Sequence, residues 1–148
     1  MSKRVHPIAG ALALVTILTF WVTTLVSETL GQTATIVAIK TAIPWGFLVL
    51  IPALATVGGS GLALAKRRAT PLVAAKRRRM PIIAANGLLV LVPCALFLSF
   101  KAQAGELDKL FYAVQTLELG AGAINIALLA LSLRDGLRLS GRLGRATT

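Results

Sequence analysis

Apolar positions fill four long segments of this chain, residues 7–27, 42–65, 81–100 and 110–133, and charge gathers in the gaps between them. Each segment is close to the ~20 residues that a helix needs to cross ~30 Å of hydrocarbon. The pattern predicts an all-α fold, a bundle of four transmembrane helices forming one membrane domain over residues 1–148. The two gaps at 28–41 and 101–109 read as short loops with no room for a further domain. The gap at 66–79 reads as a basic loop, and residues 134–148 as a basic tail.

Composition agrees with that class, since 56% of residues are hydrophobic and 14% charged, with a mean hydropathy of +0.80. In a soluble protein a net charge of +11 would suggest nucleic acid, but the placement of the charges makes that partner unlikely. Lys3 and Arg4 precede the first segment. Lys66, Arg67, Arg68, Lys76, Arg77, Arg78 and Arg79 lie between the second and third, and Arg134, Arg138, Arg142 and Arg145 follow the fourth. Thirteen of the 16 basic residues therefore fall on one side, leaving Lys40, Lys101 and Lys109 for the other. Positive charge stays cytoplasmic, so both termini and the middle loop are expected in the cytoplasm. The first segment is too long for a secretory signal and has no small-x-small cleavage site after it, so it reads as a retained helix. The basic loop residues are expected to rest on anionic lipid headgroups, each contributing ~1 kcal/mol. A dedicated partner protein is the narrower alternative.

Proline and small residues refine the picture. The runs 3–9 (KRVHPIA) and 77–83 (RRRMPII) open the first and third segments alike, with proline in the first turn, where its missing N–H is harmless. Two hairpins related by a pseudo-twofold axis along the membrane normal would make His6 and Met80 equivalent. The runs 46–52 (GFLVLIP) and 87–93 (GLLVLVP) place a proline inside segments two and three, where each is expected to bend its helix. Ala55, Gly59 and Ala63 on the second segment, and residues 120–123 with Ala127 on the fourth, mark close helix approach, either within the bundle or across a homodimer seam. Cys94, the single cysteine, reads as a small packing residue.

The runs 76–87 (KRRRMPIIAANG) and 111–119 (FYAVQTLEL) resemble those of a group of small four-helix proteobacterial membrane proteins. The resemblance spans most of the chain. It implies a bacterial inner membrane and no particular activity.

Candidate chemistry centres on Glu118, because an acid inside a membrane helix is expensive and faces protein or water. It lies about 12 Å into its segment at ~1.5 Å per residue. Gln115, Glu118, Gly122 and Asn125 share one helical face. The structural reading is hydrogen-bonded glue, with Glu118 neutral or held by Trp45, Thr23 or Thr24. The functional reading is an intramembrane site for a proton, ion or small solute, in a binding or accessory module. A haem b electron-transfer protein is the alternative, ligated by His6 with Met80 or with His6 of a second chain. Against that, a histidine at the membrane edge serves equally as a polar helix-capping residue. No nucleophile elbow, Walker loop, zinc-protease or dinucleotide motif occurs. The cluster Gly58, Gly59, Ser60, Gly61 lacks the lysine a phosphate cradle requires.

Overall fold

The computed structural model describes residues 5–65 and 71–139, all but their turns helical. Helix α1 (Val5–Leu30) is followed by α2 (Thr33–Ala65). A continuous rod follows, made of α3 (Pro71–Asn86), a π-helical turn (Gly87–Leu91) and α4 (Val92–Gln103), and α5 (Lys109–Leu139) completes the fold. Four stretches, Pro7–Leu30, Thr33–Gly59, Arg78–Gln103 and Lys109–Arg138, are long and apolar enough to cross a membrane, the pattern of a multi-pass membrane protein. Outward faces carry Ile8, Leu48, Leu89, Phe100 and Leu117, as lipid contact requires.

Hydroxyl side chains in these apolar helices donate to the carbonyl one turn back, Thr16 to Leu12, Thr19 to Val15 and Thr56 to Pro52. Each is thereby satisfied without water. Two turns close the hairpins at the same end of the bundle. Gly31, at φ +67°, ends α1, its N–H bonded to the Ser27 carbonyl. Gly105, at φ +73°, ends α4, with Gly105 N–H on Ala102 and Glu106 N–H on Lys101 in a Schellman arrangement. Both positions need the left-handed backbone that glycine adopts freely.

Helix boundaries depart from the sequence expectation in two places. Residues 28–41 are not a loop: α1 continues to Leu30 and α2 begins at Thr33, because nothing between Gly31 and Pro44 interrupts a helix and Ile36 is buried in the core. The expected loop 66–79 is likewise helical from Pro71 onward, so Lys76, Arg77, Arg78 and Arg79 belong to the first turns of α3. Residues 1–4, 66–70 and 140–148, with Lys3, Arg4, Lys66, Arg67, Arg68, Arg142 and Arg145, lie outside the described residues.

Prolines are absorbed rather than disruptive. Pro44 and Pro52 lie within an uninterrupted α2. Pro93 follows the π turn, whose closing bond runs from Val92 N–H to the Gly87 carbonyl. The wider turn relieves the clash between a proline ring and the preceding carbonyls.

The helices form a ring in which α1 abuts α2 and α5, and the rod abuts α2 and α5. Among the described residues no Cα of α2 comes within 8 Å of one in α5, nor any of α1 within 8 Å of the rod. Two apolar clusters fill the interior. Ile36, Leu98, Ala102 and Phe111 close the end that carries the turns. Ala13, Ile17, Leu50, Ala53, Ile83 and Leu129 pack the remainder. Between these clusters the chain places charge.

Candidate intramembrane polar site

Lys40 projects from α2 across the diagonal of the ring to α5, its ammonium 2.5 Å from Glu118 Oε2 and 3.5 Å from Thr24 Oγ1 of α1. The Lys40 residue is 1% exposed and the Glu118 side chain 13%. A long, flexible side chain is what spans this gap, since the backbones of α2 and α5 stay apart. Pro44, one turn further along α2, has no N–H to offer the Lys40 carbonyl. That adds another polar group to the same level.

Sequence reading expected Glu118 to be neutral or to rest on Trp45, Thr23 or Thr24. Its hydrogen-bond partner is instead Lys40, which had been assigned to a loop, and Thr24 contacts the same ammonium. Trp45 is 72% exposed, outside this cluster. The indole that reaches α5 belongs to Trp21, whose Nε1–H donates to the Leu119 carbonyl at 2.9 Å. Gly122 permits this approach: a Cβ there would lie 3.0 Å from Trp21 Cδ1. Gly122 was legible as part of the polar face, whereas its role as a notch for an indole was not.

The inward face of α5 carries Gln115, Glu118, Asn125, Ser132 and Asp135. All except the part-exposed Glu118 are at most 3% exposed. Gln115, Glu118 and Asn125 thus share the face expected of them, and Ser132 and Asp135 extend it at the same helical spacing. From Gln115 to Asp135 the face rises about 30 Å at 1.5 Å per residue, a bilayer core's thickness. Both amide atoms of Gln115 and of Asn125, and Ser132 Oγ, are buried without a hydrogen-bond partner among the described residues. Gly87, opening the π turn, faces Asn125 closely enough that a Cβ would lie 3.6 Å from Nδ2. Asn86 donates to the Ala121 carbonyl at 2.8 Å. Beside Glu118 a cavity of about 50 Å³ opens among Phe20, Trp21, Thr24, Leu91 and Gly122.

Asp135 pairs with Arg79 of α3 at 2.6 Å. Arg79, grouped by sequence with the headgroup-binding residues, is therefore turned into the bundle. Arg78 beside it is exposed, and the side chains of Lys76 and Arg77 are outside the described set. The haem expectation divides similarly: Met80 is half-buried on α3, while the side chain of His6, on the diagonally opposed α1, is not described. Cys94 is buried on α4, within electrostatic reach of Lys40 and Glu118.

Comparison of the chain with protein-family models, curated proteins and solved structures finds no match.

Proposed function

We propose that this chain is an integral membrane module that passes protons along the inward face of α5. The observation that carries the reading is the buried Lys40–Glu118 pair, continued along α5 by Gln115, Asn125 and Ser132, whose side-chain polar atoms have no hydrogen-bond partner among the described residues. A purely structural ion pair gains little in a membrane bundle, because taking two charges out of water offsets most of their attraction. Unpaired amides at Gln115 and Asn125 add further cost. Intramembrane acids with a cationic partner are characteristic of proton and ion pathways.

The size of the cavity favours protons over organic solutes. About 50 Å³ admits a few waters at ~10–15 Å³ each, and is far below the ~300–1,000 Å³ of small-molecule pockets. Water bridging between Glu118 and Asn125 would connect rungs about 10 Å apart along the axis. In this reading the end bearing Arg79 and Asp135 faces the cytoplasm of a bacterial inner membrane, as do both termini. Arg78 and its basic neighbours meet anionic headgroups there. The ring order of helices suits a pseudo-twofold pairing of α1 with the rod and of α2 with α5. Outward-facing Gly120, Ala123 and Ala127 suit a homodimer seam.

Reconstitution in liposomes enclosing a pH-sensitive dye tests the proposal. Under an imposed potassium diffusion potential, the protein should acidify or alkalinise the lumen according to the sign of the potential. Glu118→Gln should abolish that flux while the fold persists.

A further inference from the structure

Glu28, on α1, has no part in the proton path along α5. It lies on α1 one helical turn beyond Thr24, the residue whose hydroxyl touches the Lys40 ammonium. Glu28 is half-buried, its Oε1 has no hydrogen-bond partner, and it is within electrostatic reach of Lys40. Lys40 thus bonds the Glu118 carboxylate of α5 and lies within electrostatic reach, beyond ion-pair distance, of the Glu28 carboxyl on α1. Cys94 on α4 is the remaining titratable group within reach among the described residues.

We propose that Glu28, Lys40 and Glu118 form a binding site for one proton, shared between the two carboxyls through the ammonium, with Glu28 as its port to the surface. Two observations carry this. With all three groups ionised the cluster bears one net negative charge, which a low-dielectric interior opposes; one added proton brings it to neutrality. The apolar cluster of Ile36, Leu98, Ala102 and Phe111 blocks the interior between Glu118 and the turns. The side along α1 has no part in that plug, and half-exposed Glu28 occupies it.

The exchange conserves charge and atoms. Starting from neutral Glu28, the Lys40 ammonium gives one proton to the Glu118 carboxylate and becomes an amine. A water between the two groups then gives the amine a proton as it takes the Glu28 carboxyl proton, leaving Glu28 ionised, Lys40 cationic and Glu118 neutral. Net charge is zero at every stage, so no uncompensated charge is created inside the membrane. The shared-proton site rests on the proton-passage reading for its purpose but not for its test.

Infrared spectroscopy of the full-length protein in liposomes, at neutral pH and with isotope-labelled glutamate, counts protonated carboxyls directly. The wild type should show one per chain. Glu28→Gln and Glu118→Gln should each show none, because either leaves one carboxylate matched to one ammonium. Lys40→Gln should show two. Glu28→Asp should restore the single band, which guards against a folding defect in the glutamine variant. A wild-type band that survives Glu28→Gln would overturn the shared site, as would a wild type with no protonated carboxyl whose charge is neutralised by added sodium. Absence of proton flux alongside the one, none, none, two pattern would reject proton passage and leave the shared proton established.

Discussion

Lys40 and Glu118 meet 2.5 Å apart although they belong to helices on opposite corners of the ring, whose described Cα atoms do not approach within 8 Å of one another. Their contact joins the two hairpins through the interior, at a level where both neighbouring clusters are apolar. Loss of Lys40 removes the cation that Glu118 contacts, and the carboxyl must then take up a proton at a cost or stand as a buried, uncompensated charge. Lys40→Met is therefore expected to destabilise the bundle by about 3–5 kcal/mol, whereas the double variant Lys40→Met with Glu118→Met should recover most of that loss. Unfolding of the wild type, both single variants and the double variant in mixed detergent micelles measures these losses. A double variant whose loss equals the sum of the losses of Lys40→Met and Glu118→Met alone would show that the pair is not coupled.

On the proposed proton path, the polar face of α5 sets stability against function. Asn125 is 0% exposed and its amide is unpartnered, a burden of about 1–3 kcal/mol for each unsatisfied group. Asn125→Val should raise the unfolding midpoint and lower proton flux in the same preparation. A less stable Asn125→Val protein would indicate that the amide is structural glue.

Gly46 and Gly58 separate packing from propensity on one helix. The ring of Phe20 occupies the space that a Cβ at Gly46 would need, whereas among the described residues nothing lies within 4 Å of the corresponding position at Gly58. Gly46→Ala should destabilise by about 1–3 kcal/mol through overpacking. Gly58→Ala should be neutral or stabilising by up to about 1 kcal/mol, since alanine is the better helix former. Thermal unfolding in detergent distinguishes them.

How much of this was legible beforehand depended on which residues kept their pattern. Four spans followed from length and apolarity, and the face of Gln115, Glu118, Gly122 and Asn125 followed from helical spacing. The same spacing carried further reaches Ser132, a small hydroxyl inside the expected span, and Asp135, which lies two residues past its expected end at Leu133. Lys40 was missed for a physical reason. A lone lysine among threonines reads as a loop charge, and only the absence of a helix breaker between Gly31 and Pro44 signals that it is inside. No sequence rule told Trp21 from Trp45, because the choice rests on which indole meets the notch at Gly122.

The turn before α5 should respond to acid. Asp108 accepts from the Phe111 N–H at 2.9 Å and from Lys101 at 2.6 Å. The Lys101 ammonium first, and then that N–H, hold its carboxyl below the usual value of 3.8. A depressed folded value means that the contribution is complete above about 3.8 and is lost as pH falls through the lower, folded value. Amide exchange at Phe111 should accelerate only in that acid window, and Asp108→Ala should show the fast rate already at neutral pH.

The charge distribution predicts sidedness. Reporters inserted near Pro71 or fused after Thr148 should read cytoplasmic, and reporters near Gln32 or Ala104 external. An external reading at Pro71 would invalidate the four-span arrangement.

Proton flux through reconstituted protein is the most direct test of the central claim, that the buried Lys40–Glu118 pair lies on a proton path. Wild type and Glu118→Gln are compared at matched protein density in a Trp45→Phe background, where the fluorescence of the remaining Trp21 verifies that the bundle is intact. The account predicts voltage-driven flux in the wild type and none above empty liposomes in Glu118→Gln. Equal flux in the two proteins, or none in either, would contradict it.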